Sequence, residues 1–391
     1  MTSVKSIWPS FSDEEADAVA AVIRSNRVNY WTGDIGRAFE REFAGWVGTD
    51  HAIALANGTL ALDVALKALG IGPGDEVIVT PRTFIASISC VVNAGAIPVF
   101  ADVDLDSGNI SAATIAACIT DRTRAVIPVH LAGWPCDMDA IMQLADRHGL
   151  SVIEDCAQAH GAKIGERSVG SIGHVGAWSF CQDKIMTTGG EGGMVTTNDP
   201  ATWSTMWSFK DHGKSWEAVY ERAHPPGFRW VHESFGTNWR MLEVQSVIGR
   251  IQLGRMASWT DRRTDIACRF AEALAPFGSA VRAPLPGPGF RHAFYRFYAY
   301  VRPEGLATGW SRDRIIEALV AEGVQVLQGT CPEVYREKAF DGTTFRPAER
   351  LPVARELGET SLMFLTHPTL TDAELDRAVA AIRSVFTQAM G

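Results

Sequence analysis

Apolar residues in the first half of the chain form short runs, separated by segments with helical spacing. The runs lie at residues 52–55, 76–80, 97–102, 125–129, 151–155, 177–180 and 193–197. Near-continuous apolar runs of this length are typical of strands buried on both faces. Leu62, Leu66 and Leu69 recur at helical spacing before Gly70, and residues 138–147 repeat the pattern. This alternation predicts an α/β domain with a mainly parallel sheet.

The rest of the chain follows a different pattern. Helical periodicity is expected at 13–24, 312–322 and 372–390, and a long helix without proline at 241–274. A segment rich in proline and glycine, 284–289, precedes a strand at 294–301. We therefore expect a large domain over residues 1–255 and a smaller C-terminal α+β domain over residues 256–391.

Composition and charge narrow the class of protein. The 391 residues include 36 Lys and Arg against 45 Asp and Glu, a net charge of −9, which disfavours nucleic acid as a partner. Seven cysteines without a C-x-x-C pair argue against a disulfide framework and a structural zinc site, and favour the cytoplasm; no metal is expected. The uncharged stretch 83–101 is interrupted by polar residues, so it indicates a helix, a turn and a buried strand rather than a membrane span.

Polar residues stand where several of these strands end, which is where open α/β sheets bind ligands. Asn57, Gly58 and Thr59 follow the first strand and open a helix. Free backbone N–H groups there suit a phosphate, although an ordinary helix cap reads the same way. Asp155 ends the fifth apolar run, where it either serves a ligand or caps a turn.

Two further groups follow in the sequence. Lys184 lies between the sixth strand and the glycine-rich segment 187–193, and residues 236–240 precede the long helix. A lysine in apolar surroundings becomes an amine nucleophile, whereas an isolated loop lysine is more often simply solvated. In this order, a phosphate site, a buried carboxylate and an amine are what pyridoxal 5'-phosphate requires, since the carboxylate keeps the pyridine nitrogen protonated.

The chain resembles the DegT/StrS-like nucleotide-sugar aminotransferases, which are fold-type I pyridoxal-phosphate enzymes. The resemblance runs from about residue 13 to the C-terminus. Eight ordered motifs carry it: N-G-T-L-A-L, P-R-T-F-I-A-S, I-P-V-F-A-D-V-D, P-V-H-L-A-G-W-P-C-D-M-D-A-I, I-E-D-C-A-Q-A-H-G-A, S-F-C-Q-D-K, G-G-E-G-G-M and G-T-N-W-R-M. It implies a large domain with a mainly parallel seven-stranded sheet and a smaller α+β domain.

The resemblance also implies roles for individual residues. Lys184 would bind the cofactor as a Schiff base and move the proton, and Asp155 would pair with the pyridinium nitrogen. The implied cofactor-binding residues are Gly58, Thr59, Phe84, Asp155, Gln158, Ser179, Lys184 and Asn238.

Within that set, Gly58, Thr59 and Ser179 would hold the phosphate. Phe84 would stack on the ring, and Gln158 would bind the ring hydroxyl. Asn238 would reach the phosphate of the neighbouring subunit's cofactor, which implies a homodimer with shared active sites.

His160 is expected either next to Asp155 or on a surface turn. Residues 181–183 depart from the common pattern next to the lysine, so the resemblance does not carry a sugar specificity. Arg240, Arg229 and Lys210 are candidates for contacting a substrate diphosphate, since guanidinium and ammonium groups pair with phosphate.

The function implied is transfer of an amino group, from L-glutamate, to a nucleotide-linked keto-sugar in polysaccharide or natural-product biosynthesis. A transaminase of aminocyclitol ketones that uses L-glutamine remains open. A sugar dehydratase of the same family would have histidine in place of Lys184. A nicotinamide enzyme is disfavoured because Gly70, Gly72 and Gly74 precede a strand instead of following one. A non-enzymatic regulator lacks support from any basic or helix-turn-helix segment.

Overall fold

The computed structural model describes residues 8–391. Its α-helices are α1 (Asp13–Arg24), α2 (Ile35–Val47), α3 (Gly58–Ala68), α4 (Ala86–Asn93), α5 (Ala112–Ala116), α6 (Met138–His148), α7 (Pro200–Lys210), α8 (Trp216–Tyr220), α9 (Glu243–Leu274), α10 (Arg312–Ala321), α11 (Pro352–Thr360) and α12 (Asp372–Met390). Its strands are β1 (His51–Leu55), β2 (Glu76–Val79), β3 (Ile97–Phe100), β4 (Thr123–Ile127), β5 (Ser151–Asp155), β6 (Lys163–Ile164), β7 (Arg167–Ser168), β8 (Val175–Ser179), β9 (Gly193–Thr197), β10 (Val281–Arg282), β11 (Phe290–Arg291), β12 (Arg296–Val301), β13 (Val326–Leu327) and β14 (Ser361–Leu365).

A seven-stranded sheet organises the first part of the molecule, and the seven predicted strands all belong to it. The strand order is β1-β9-β8-β5-β4-β2-β3. The pairs from β8 to β3 are parallel, whereas β9 runs antiparallel to both of its neighbours, β1 and β8. The predicted α/β fold with a mainly parallel sheet is confirmed.

Helices cover both faces of this sheet, which explains why its strands read as continuous apolar runs. Val77 and Val79 pack with Leu66 of α3, whereas Ile78 packs with Ile141 of α6 on the opposite face. Successive residues of a strand point to opposite faces, so both faces need apolar side chains.

Local sequence signals set several helix ends. Ser12 and Glu15 form a reciprocal capping box at the start of α1, and Thr371 and Glu374 do the same at α12. Gly149 ends α6 with a φ of 64°, a left-handed conformation that glycine adopts without steric cost.

The C-terminal part of the chain forms a second sheet, with strand order β10-β12-β14-β13. Its core joins the end of α9 to α10 and α12, through residues such as Phe270, Leu319 and Phe386. Part of this region packs back on the large sheet, because Tyr335 and Phe340 contact its apolar core. The predicted domain boundary after residue 255 falls inside α9 and stays a prediction. None of the helices within residues 8–391 is long and apolar enough to cross a membrane.

Candidate active site

The turn between β1 and α3 forms a cradle with the end of β8. Asn57 has extended backbone and its side chain accepts a hydrogen bond from the Leu60 N–H (3.0 Å), which fixes the start of α3. A Cβ placed on Gly58 would lie 2.5 Å from Cβ of Ser179. Only glycine lets the helix start approach the strand end this closely. Gly58, Thr59 and Ser179 therefore meet at a helix N-terminus, where backbone N–H groups favour an anion.

Asp155 is buried at the end of β5 and keeps both carboxylate oxygens engaged. One oxygen accepts a hydrogen bond from Ser87 Oγ (2.8 Å), and the other accepts from the Ala157 N–H (3.1 Å). Burial raises the pKa of Asp155, while these hydrogen bonds and the charge of Lys184 act in the opposite direction. A carboxylate oxygen accepts more than one hydrogen bond, so Asp155 can also bind a protonated ring nitrogen.

Gln158 lies three residues after Asp155 in the chain and is also buried. Its Oε1 accepts a hydrogen bond from the Ala132 N–H (2.8 Å), on a residue with a φ of 57°. This contact uses the carbonyl end of the side chain, which orients the amide N–H groups as donors. Gln158 is thus suited to donate to a ring hydroxyl.

Lys184 lies in the loop after β8, near Tyr295, the residue just before β12. Its Nζ is 5.2 Å from the centroid of the Tyr295 ring. The preceding residue, Asp183, accepts hydrogen bonds from Tyr295 Oη (2.5 Å) and Arg296 Nη2 (3.2 Å). Burial alone would raise the pKa of Asp183, but Lys184, Tyr295 and Arg296 together hold it below its ordinary value. The lysine loop is therefore tied to β12.

Phe84 and Asn238 are the two predicted cofactor residues that lie exposed. Phe84 stands just before α4, in the segment that also supplies Ser87, and 67% of its surface is accessible. Asn238 lies on the surface segment before α9 and forms an isolated antiparallel bridge with Asp211. The exposed ring of Phe84 is available to stack on a cofactor ring. The role expected of Asn238 is a contact with the cofactor of a second subunit, for which an exposed position is suitable.

His160 does not lie on a surface turn, and it makes no hydrogen bond to Asp155. It is completely buried between Trp178 and Phe180, with ring centroids 5.2 and 5.6 Å away. Neither ring nitrogen has a hydrogen-bond partner. Burial, followed by the charges of Lys184 and Arg263, lowers its pKa to about 3.

The structure also corrects one of the expected substrate contacts. Lys210 is fully buried over the Tyr30 ring, 3.7 Å from its centroid, and its Nζ lies 3.6 Å from Glu40. It cannot contact a substrate there. Arg240 binds Asp211 (2.7 Å) and is nearly buried, whereas Arg229 is exposed.

Sequence reasoning did not assign roles to Ser87, Asp183 and Tyr295. Ser87 lies in the quoted P-R-T-F-I-A-S motif and Asp183 in S-F-C-Q-D-K, so the motifs held that signal. Tyr295 is more than 100 residues from Asp183 in the chain, and nothing local to its sequence predicts the contact.

His130, Glu154 and Cys156 form a buried polar cluster, and two of them are the chain neighbours of Asp155. Their potential metal-binding atoms lie within 4.8 Å of one another. Glu154 already accepts hydrogen bonds from His130 Nε2 (3.0 Å) and from three backbone N–H groups. His130 Nδ1 accepts from the Cys136 N–H (3.0 Å). Since these groups are satisfied by the protein, the cluster is a hydrogen-bonded part of the core.

The residues present fit pyridoxal 5'-phosphate. The glycine-dependent cradle at α3 suits its phosphate, the buried Asp155 suits its ring nitrogen, and Lys184, whose charge favours the ionised form of Asp155, suits its carbonyl group. The fold and this site are those of a pyridoxal-phosphate-dependent enzyme.

The chain belongs to the DegT/DnrJ/EryC1/StrS aminotransferase family, whose sequence pattern matches residues 9–383. It is 39% identical to a GDP-perosamine synthase of Caulobacter vibrioides, over 91% of this chain and 92% of that protein. It is 37% identical to a UDP-N-acetyl-3-dehydro-alpha-D-glucosamine 3-aminotransferase of Acidithiobacillus ferrooxidans, over 98% and 96%. The X-ray structure of an aminotransferase from Psychrobacter cryohalolentis superposes with a TM-score of 0.98 at 61% identity, covering 99% of this chain and 100% of that chain.

Proposed function

We propose that this aminotransferase moves an amino group from L-glutamate to the ketone of a nucleotide-linked sugar, in amino-sugar biosynthesis. The observation that carries the aminotransferase chemistry is the buried Asp155, held by two hydrogen bonds in the site that contains Lys184. The names of the GDP- and UDP-sugar relatives support the choice of substrate class.

Each residue of the site has a defined task in this proposal. When bound, the cofactor supplies a carbonyl that condenses with amines and a ring that accepts an electron pair. Gly58, Thr59 and Ser179 hold its phosphate, and Phe84 covers one face of the ring. Asp155 would keep the proton on the ring nitrogen, and Lys184 Nζ would hold the cofactor and move a proton between the nitrogen-bearing carbon of the substrate and the cofactor.

The two substrates make different demands on the site. An ordinary amino-acid transaminase admits a carboxylate in both half-reactions. A sugar aminotransferase admits glutamate in one half-reaction and a bulky, polyhydroxylated ketone in the other. We therefore expect pyruvate and oxaloacetate to be poor acceptors.

Exposed aromatic residues support the homodimer that completes the proposal. Phe228, Trp230 and Phe235 are 77%, 81% and 100% exposed, on the segment that leads to Asn238. Clustered exposed aromatics are typical of protein interfaces. In the proposed dimer, a second copy of the chain covers this segment, and Asn238 reaches the partner's cofactor phosphate.

A panel of acceptors tests the function directly. Enzyme loaded with pyridoxamine phosphate is mixed with nucleotide keto-sugars, cyclitol ketones, pyruvate and oxaloacetate, and the absorption of the cofactor is followed. Nucleotide keto-sugars should return the cofactor to its pyridoxal form, and the Lys184→Ala variant should not respond. Efficient reaction of oxaloacetate with no response to any keto-sugar would refute the sugar substrate. Reaction of cyclitol ketones alone, with L-glutamine as donor, would favour the aminocyclitol alternative.

A further inference from the structure

The buried hydroxyl groups of Ser87 and Thr83 form a chain of hydrogen bonds that ends at Asp155. Ser87 Oγ lies 2.8 Å from Asp155 Oδ2, and Thr83 Oγ1 lies 2.8 Å from Ser87 Oγ. Thr83 and Ser87 are each 1% exposed, so bulk water does not compete for these contacts. They flank Phe84, so one short segment supplies both the residue proposed to cover the cofactor ring and the support for Asp155.

The direction of these hydrogen bonds follows from the chemistry of the groups. An ionised carboxylate only accepts, so the single hydroxyl hydrogen of Ser87 points to Asp155. The Ser87 oxygen is then left as an acceptor, and the contact with Thr83 requires the hydroxyl of Thr83 to donate. The chain of donors therefore runs from Thr83 to Ser87 to Asp155, and each bond polarises the next.

An ordinary helix cap does not account for this arrangement. Ser87 lies in the first turn of α4, but the cap residue of that helix is Ile85, which provides no side-chain hydrogen bond. The hydroxyl of Ser87 is directed to β5 instead, onto a residue 68 positions later in the chain.

We propose that Thr83 and Ser87 are positioning residues that stabilise the ionised form of Asp155 and so keep the proton on the ring nitrogen of the cofactor. The inference rests on the proposed role of Asp155. Burial favours a neutral carboxyl group, and donated hydrogen bonds favour the charged one. Without Ser87, the shared proton moves from the ring nitrogen towards Asp155, and the ring becomes a weaker electron acceptor.

The test measures the ring nitrogen itself. Enzyme is loaded with cofactor labelled with ¹⁵N in the ring, and the nitrogen chemical shift reports its protonation. Ser87→Ala should move the signal towards the unprotonated nitrogen and slow turnover about tenfold, as expected for a lost hydrogen bond to a charged group. Ser89→Ala, on the same helix, is the matched control and should leave the signal unchanged.

Thr83 provides a second and independent pair of variants. Thr83→Val removes the hydroxyl with little change of shape, and Thr83→Ser keeps it. The valine variant should shift the nitrogen signal in the same direction as Ser87→Ala but less, and the serine variant should restore it. An unchanged nitrogen signal in both Ser87→Ala and Thr83→Val would overturn the inference.

The Asp155→Asn variant separates this inference from the proposed function beneath it. A near-wild-type rate in Asp155→Asn would refute the role of Asp155, and the support from Ser87 would lose its meaning with it. A severe loss in Asp155→Asn, together with a wild-type nitrogen signal in both Ser87→Ala and Thr83→Val, would refute only the proposed roles of Thr83 and Ser87.

Discussion

Replacing His160 with phenylalanine should change how the stability of the protein depends on pH. The imidazole packs between Trp178 and Phe180 and makes no hydrogen bond from either nitrogen. Phenylalanine has a similar shape and loses no polar contact there. The substitution therefore removes one titrating group while it preserves the packing of the core.

The size of the effect follows from the pKa of His160. Burial lowers it from an ordinary value of 6.5 to about 3, so between these two values the unfolded chain binds a proton that the folded chain does not. Stability is therefore lost as the pH falls below 6.5. At a slope of about 1.4 kcal/mol per pH unit, lowering the pH to about 5 reduces the free energy of unfolding of the wild type by about 2 kcal/mol. The phenylalanine variant does not lose this contribution.

Denaturant unfolding of the holoenzyme at about pH 7 and about pH 5 measures this difference. The free energy of unfolding of His160→Phe should fall less between the two conditions than that of the wild type. His148→Gln, a change at an exposed residue at the end of α6, serves as the control and should behave as the wild type does. Equal losses in His160→Phe and the wild type would show that the buried ring binds a proton in the folded state.

Three further experiments test the cofactor site. Borohydride reduction and peptide mapping should place the pyridoxyl group on Lys184, and a label on Lys163 would contradict the assignment. Gly58→Ala should weaken cofactor binding about tenfold, because its Cβ would lie 2.5 Å from that of Ser179, and unchanged affinity in equilibrium dialysis would show that the close approach is dispensable. Mixing Lys184→Ala with Asn238→Asp under subunit exchange should restore part of the activity, whereas no recovery despite proven exchange would place each site within one chain.

The parts of the fold that the sequence predicts well are those governed by local pattern. The strand at 151–155 and the helix at 13–24 lie where the spacing of apolar residues predicts them. Helix α7 was not predicted, and its apolar face depends on the packing of Met206 and Trp207 against distant elements. Long-range packing of this kind leaves no periodic signal in a single sequence.

The candidate site shows the same division between local and distant information. Gly58 and Asp155 stand next to strand ends that the pattern identifies, so sequence alone brings them into consideration. Lys210 misled the prediction because its partners, Glu40 and Tyr30, are more than 160 residues away in the chain. Nothing in the sequence around Lys210 indicates that a carboxylate and an aromatic ring enclose its ammonium group.

The charges already neutralised within the protein restrict how the diphosphate of the proposed nucleotide-linked substrate would be bound. Arg240 is nearly buried and binds Asp211, and Arg296 binds Asp183, so each of these cations has a carboxylate partner. Arg229 donates only to backbone carbonyl oxygens of α8, at Ala218 and Val219, which leave its positive charge uncompensated. Of the three cations expected at a diphosphate, Arg229 alone is both exposed and free of a carboxylate, and it lies between the exposed rings of Phe228 and Trp230 in the segment proposed to meet the partner subunit.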